Sequence, residues 1–231
     1  MKKMKIALFF VALGGLGYFT FNKLNGKKEK EVKVQLDKIY SPGKYDTLKT
    51  SVAELKKKTS VAASKDAFTG FMYKKMFPFW YDTEWDFNGI TQVPRQGKIA
   101  CGYFVTTVLR DAGVKLERVK LACCASEQMI KTLTTEDHIK RYSNFKNEKF
   151  CNDVKKHGKG VFVIGLDSHT GFIVNTGDSL FFIHSNGYGW SDKKVIKEIA
   201  VNSPVLEHSA YKVVGYLTED TEFLKSWKNG E

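Results

Sequence analysis

Three residues carry the covalent chemistry this chain can offer: Cys101, His169 and His184. Cys101 stands at the front of IACGYFVTTVLRDAG, Ile99 to Gly113, where Phe104, Val105, Val108 and Leu109 share one helical face and Gly113 supplies a stop. A cysteine in a first helical turn meets unpaired N–H groups and the positive end of the helix dipole, so its thiolate is expected to be favoured and its pKa to fall. His169 and His184 lie in two apolar runs, SHTGFIVN and LFFIHSN, on either side of Thr176-Gly177-Asp178-Ser179. That arrangement predicts a β-hairpin. With a two-residue loop at Thr176-Gly177, partners are residues whose numbers sum to 353, which sets His169 directly opposite His184. A longer loop offsets them by a residue or two. The other face of the hairpin then carries Phe172, Val174, Phe181 and Ile183. A thiol on a helix N-terminus, an imidazole as general base and acid, and a third polar group to orient it are the parts of an activated thiol hydrolase. The roles fall to Cys101 as nucleophile, His169 as base and His184 as orienting group, with a backbone N–H of the helix start, that of Cys101 itself, or a side chain of the aromatic segment below as oxyanion donor. A zinc site made of the same three residues is the metal alternative.

These residues need elements to hold them. Leu48, Val52 and Leu55 predict a helix over Tyr45–Lys58, and Phe68, Phe71 and Met72 a second over Ser64–Met76. The aromatic stretch FPFWYDTEWDFNG, Phe77 to Gly89, reads as core or rim packing, and Thr91–Lys98 as a loop. Short helices are expected near Ala125–Leu133 and Lys149–Lys156. GVFVIGL, Gly160 to Leu166, reads as a central strand and Ala210–Thr218 as another. Lys194–Ala200 is ambiguous, Ser203–Ser209 suggests a helical turn, and Thr221–Trp227 suggests a closing helix entered at Thr221. His138 falls in a polar, helix-like surface segment, His157 at a helix C-terminus, and His208 at the surface. The fold class implied is α+β: a mostly antiparallel sheet with helices on one side, the cysteine helix crossing its centre, and a helical extension before it.

Of 231 residues 42% are apolar, including 17 Phe, 10 Tyr and 4 Trp, which excludes wholesale disorder. The net charge of +12 is unevenly placed: residues 1–60 hold 14 lysines against 5 acids, and residues 61–231 hold 23 basic against 20 acidic residues. A near-neutral main body with only four arginines argues against nucleic acid as a partner. The basic N-terminal stretch suits a lipid or cell-wall surface, or is a solvated tether. Lys2, Lys3 and Lys5 precede an uncharged run of 16 residues, Ile6 to Phe21, which predicts export through a signal peptide or an N-terminal membrane anchor over residues 1–22. A basic linker, 23–44, a helical extension, 45–80, and a catalytic domain, 81–231, follow. In an oxidising compartment Cys123 or Cys124 could pair with Cys151, or all three could stay reduced.

On these residues the sequence resembles the NlpC/P60 peptidases of the papain-like superfamily. Their cysteine motif is matched by Ala100-Cys101-Gly102-Tyr103-Phe104-Val105, with Ala100 in place of the usual acid and Gly102 in place of the usual serine. Their two histidine strands are matched by His169-Thr170-Gly171-Phe172-Ile173 and Phe182-Ile183-His184-Ser185. Trp85–Gly89 resembles the family's upstream aromatic–glycine motif, and Leu116-Glu117-Arg118 its leucine–x–arginine. The resemblance covers about Trp85 to Thr218. It implies a papain-like fold and a Cys-His-His peptidase, with no metal or cofactor, acting on peptidoglycan peptides or another cell-envelope substrate, exported to the periplasm or cell envelope. A membrane surface would be reached through residues 1–30. Acyl transfer, lipid or amide hydrolysis on the same scaffold, and a noncatalytic wall-binding module, are the alternatives.

Overall fold

A computed structural model describes residues 31, 33–189 and 192–230. The expected signal peptide or anchor, residues 1–22, and the first part of the expected linker lie outside them. No helix among the described residues is long and apolar enough to cross a membrane. The chain divides into two units, Met1–Ser41 and Pro42–Glu231. In the first, residues 33–39 form a mostly exposed helix, α1, where the sequence suggested a linker.

The second unit opens on α2, Pro42–Lys58. Pro42 occupies its first position, where proline's missing N–H costs nothing, so the helix begins inside the expected linker. Next come α3 (Ser64–Phe71), a π-helical turn (Met72–Met76) and α4 (Phe77–Trp80). The single helix read over Ser64–Met76 therefore ends at Phe71 and continues as the wider turn, which keeps Phe68, Met72 and Met76 all fully buried. The remaining elements are α5 (Cys101–Asp111), α6 (Arg118–Ala122), α7 (Ser126–Leu133), β1 (Ile139–Ser143), α8 (Asn147–Lys155), β2 (Gly160–Leu166), β3 (Thr170–Asn175), β4 (Leu180–Ser185), β5 (Val195–Ile199), α9 (Pro204–His208), β6 (Tyr211–Gly215) and α10 (Thr221–Asn229). Strand β1 directly follows His138, where the polar pattern suggested helix. The cap of α10 is Asp220 rather than Thr221: its carboxylate accepts from the N–H groups of Glu222 and Phe223.

The protein is α+β. Its six strands run in the order β1-β6-β2-β3-β4-β5, and every pairing is antiparallel. Helices cover both faces rather than one. Alternation along the strands sends Val161, Val163, Phe172, Val174, Ile183 and Val213 into one core, with Phe104, Trp80 and Trp227 from the helices. It sends Phe162, Ile164, Ile173, Phe182 and Val214 into a second core, closed by Phe150 and Val154 of α8 and by Val205 and Leu206 of α9. The strands β2, β3 and β6 are buried on both sides, which is why they read as nearly unbroken apolar runs.

Helix α5 lies over β3 and β4. Its Phe104 ring meets Phe172 at 5.8 Å and Trp80 at 6.0 Å, and Phe77 closes on the other side of Phe172 at 5.0 Å. The N-terminal helices are thus part of the same core that seats the cysteine helix, not an appendage to it. Burying an aromatic side chain of this size contributes about 1.5–3 kcal/mol, so this cluster fixes α5 firmly on the sheet.

Candidate active site

Cys101 is the first residue of α5 and is half-buried. Its position is pinned from three directions. The Ala100 N–H donates to the Gly89 carbonyl at 2.8 Å, and the Ile99 N–H to the Glu84 carbonyl at 2.9 Å. Ser185, the residue after His184, donates its hydroxyl to the Ile99 carbonyl at 2.7 Å. Arg118 reaches from α6 to Thr107 Oγ1 at 2.7 Å and to the carbonyl of Ile90 at 2.8 Å, and lies over the Tyr103 ring. The glycine after the cysteine has a local cause: a Cβ on Gly102 would stand 2.3 Å from the Ala122 carbonyl oxygen, where α6 ends against α5. A serine would not fit there.

The hairpin register differs from the two-residue-loop expectation. Partners sum to 355: Phe172 faces Ile183 and Asn175 faces Leu180. The loop is the four residues Thr176–Ser179, closed by Thr176 N–H to the Ser179 carbonyl at 3.0 Å and by Gly177 N–H to Asn175 Oδ1 at 2.9 Å. His184 therefore faces Gly171, and the two histidines are diagonal neighbours. They still meet, with His169 Nε2 to His184 Nδ1 at 2.8 Å. Gly171 allows it: a Cβ there would lie 2.8 Å from the His184 Cβ, in the space the second imidazole needs.

The diagonal continues onto β5. His184 Nε2 lies 3.2 Å from Glu198 Oε2, and the Ser203 hydroxyl donates to the same oxygen at 2.6 Å. In the β4–β5 register His184 faces Ile196, so Glu198 stands two residues along on the same side. Sequence reasoning missed Glu198. Its signal was the alternation of VIKEI, unusable while that segment was ambiguous. Both histidines are buried, at 6% and 0% exposure for His169 and His184. The Phe182 ring stacks on His184 at 4.0 Å, and Tyr188 covers His169 edge-on at 5.5 Å.

Burial sets the protonation states. It holds His169 well below the usual imidazole range, with the neighbouring His184 adding to the shift. It lowers His184 as well, while Glu198 pulls that pKa back up. The thiol departs from expectation. Burial pushes the Cys101 pKa up, although backbone N–H groups of Thr170, Gly102 and Cys101 itself favour the thiolate. The helix-start effect is present and desolvation outweighs it. All three shifts favour the uncharged forms, a thiol and two neutral imidazoles.

Cys101 and His169 together line two clefts. One, of about 580 Å³, is walled by Trp85, Phe87, Ile90, Tyr103, Ala122 and Tyr188 and bears no charged side chain. The other, of about 450 Å³, is walled by Ser126, Glu127, Asp167, Ser168 and Tyr211. The two also share Gly102, Ala122 and Ser168 in their walls. No hydrogen bond among the described residues joins Cys101 to His169, whose Nδ1 has no partner there. Cys123 borders the first cleft and Cys124 the second. Neither can reach Cys151, which packs in the core on the opposite face of the sheet with its Sγ on Asn147 Oδ1; all four cysteines are free.

The other histidines stand apart from this site. His157 follows α8 as expected for a helix end, but its Nδ1 meets Glu219 Oε2 at 2.9 Å and its ring stacks on Tyr216. His208 Nδ1 meets the Pro204 carbonyl, and His138 Nδ1 meets Thr135. Among the described residues no group of three or more His, Cys, Asp or Glu side chains is placed to hold a metal ion. Comparison with known protein families, with curated proteins and with solved structures returned no match.

Proposed function

We propose that the protein is an exported cysteine hydrolase that opens amide bonds in cell-wall peptides, as the NlpC/P60 peptidases it resembles do. The observation that carries the reading is the buried, hydrogen-bonded His169–His184 pair, whose first member lines the same two clefts as a helix-start cysteine. A substrate chain laid from one cleft to the other presents its carbonyl carbon to Cys101. His169 takes the thiol proton as sulfur bonds to that carbon. The negative oxygen forms against the backbone N–H groups at the start of α5. The protonated His169 then passes its proton to the leaving amine as the C–N bond breaks. Water, deprotonated by His169, splits the thioester to a carboxylate and restores the thiol. Starting from neutral partners suits this sequence, because the thiol proton moves to His169 as sulfur bonds to carbon, so no separate thiolate–imidazolium pair has to stand in the desolvated site. Residues 1–22 bring the protein to the envelope, and the basic stretch that follows suits an anionic surface.

A second reading, acyl transfer or lipid hydrolysis at the same thiol, is favoured by one feature: the larger cleft is aromatic and uncharged, with Phe87 80% exposed at its rim. The test sets the full-length chain against peptidoglycan and against acyl lipids, with released peptides or fatty acids followed by mass spectrometry. New amine and carboxyl ends from peptidoglycan, lost in Cys101→Ala, are the expected result. If Cys101→Ala leaves both iodoacetamide labelling and every hydrolysis unchanged, the thiol reading is wrong.

A further inference from the structure

We propose that Glu198 is a positioning residue of the thiol site, which dictates through His184 the tautomer in which His169 meets Cys101. The inference rests on the thiol-hydrolase reading and adds a residue to it. Three strands contribute a single row: His169 ahead of β3, His184 on β4 and Glu198 on β5, linked at 2.8 Å and 3.2 Å. The row has one consistent pattern of donors. The Glu198 carboxylate is an acceptor only, and its Oε2 already receives the Ser203 hydroxyl at 2.6 Å. Ser203 also caps α9, its oxygen receiving the Leu206 N–H while its hydroxyl hydrogen goes to the carboxylate, which has none to give. His184 Nε2 must therefore carry a proton and donate it to Glu198. A neutral imidazole has one N–H, so His184 Nδ1 is an acceptor. His169 Nε2 must then be the donor across the 2.8 Å contact, and the lone pair of neutral His169 is left on Nδ1. That nitrogen has no other partner among the described residues, and it is the one free to take a thiol proton.

Without the carboxylate nothing forces this choice. His184 could donate from Nδ1, His169 would accept on Nε2, and its Nδ1 would hold a hydrogen and be useless as a base. The arrangement also places a negative charge at the far end of the row, where it stabilises the positive charge that reaches His169 during reaction. Glu198 touches neither substrate nor sulfur, and its effect passes wholly through His184. No other ionisable side chain hydrogen-bonds to the two imidazoles among the described residues.

The experiment uses the full chain labelled with ¹⁵N-histidine, with imidazole nitrogens assigned by His169→Gln and His184→Gln. Alkylation of Cys101 by iodoacetamide at pH 7 is followed in parallel by peptide mass spectrometry, which separates it from Cys123. In the parent both imidazoles are expected as Nε2–H tautomers. An Nδ1–H tautomer at His169 in the parent overturns the proposal outright, whatever the variants do. Glu198→Leu is expected to mix the tautomers and slow Cys101 alkylation by about tenfold or more. Glu198→Gln keeps an acceptor carbonyl, so it should retain the parent tautomer and recover part of the rate. A folded Glu198→Leu with parent tautomers and parent rate overturns the role. Should that variant not fold, the parent tautomer and Glu198→Gln decide alone. His169→Ala is the control: if it leaves alkylation unchanged, the hydrolase reading falls, whereas its collapse beside an unaffected Glu198→Leu sinks only the part given to Glu198.

Discussion

Two buried hydrogen-bonded clusters sit on the same face of this sheet. One is the row His169–His184–Glu198–Ser203. The other joins Tyr142 and Tyr216, whose hydroxyls lie 2.8 Å apart, with Asp153 3.0 Å from Tyr142. Both are built from titratable groups taken out of water, and both are walled by aromatic rings, Phe182 and Tyr188 in the first and Phe145, Phe150 and Phe162 in the second. They differ in what burial does to them. Burial, with the nearby carboxylates adding to it, pushes both tyrosine pKa values upward, away from neutral pH, although the Tyr142 hydroxyl pulls that of Tyr216 partly back. Burial pushes the histidines downward and leaves them neutral bases, and the first of them shares two clefts with a thiol. A polar cluster inside a protein is therefore not in itself a reactive one. The direction of the shift, and whether a reacting group can reach it, separate a structural knot from a chemical site.

The sharpest way to break this contrast is Gly171→Ala. The added methyl meets the His184 Cβ at 2.8 Å and must displace it from His169. The expected result is a loss of about 10–100-fold in Cys101 alkylation at pH 7, together with about 1–3 kcal/mol of stability, read by labelling kinetics and urea melts. Unchanged labelling would mean that the histidine pair does not serve the thiol.

Acid titration gives the next largest effect. Because the folded-state histidine pKa values lie below the unfolded value of about 6.5, the unfolded chain binds more protons once pH drops through that value. The contribution of keeping them neutral is therefore complete above about pH 6.5 and is lost as pH falls towards their folded pKa values, at up to about 1.4 kcal/mol per pH unit for each histidine. His169→Gln should flatten that slope, measured by urea midpoints between pH 5 and 7. The tyrosine pair has the opposite sign: its folded pKa values are raised, so it affects stability only above about pH 10. A slope near neutrality that Tyr142→Phe alters would erase the distinction between the clusters.

The smallest effect is that of Tyr142→Phe itself at pH 7. It removes a hydroxyl bonded to Tyr216 and Asp153 and should cost about 0.5–1.5 kcal/mol, while Cys101 alkylation stays at the parent rate.

Much of the site was legible before any coordinates. The cysteine at a helix start, the two histidines on neighbouring strands and the apolar face of α5 all follow from spacing within a dozen residues, because helix and strand periods are local properties. The glycine of His169-Thr170-Gly171 could be noted as a motif, but its cause, room for the imidazole of His184, could not be read from one strand. Register depended on a loop closed by the Asn175 and Thr176 side chains, which turned an expected two-residue turn into four and made the histidines diagonal rather than opposite. Glu198 entered the site only when VIKEI became the edge strand beside β4. The helices on the second face, and with them the separation of Cys151 from Cys124, followed from which of two apolar surfaces each short helix covered. The thiol pKa turned on depth of burial, a sum over neighbours from every part of the chain, and that sum overrode the helix-end field that sequence alone could see. Residue types and their local periods thus specified the candidate groups. Desolvation and strand register, which exist only once distant segments have packed, decided their charge state and their partners.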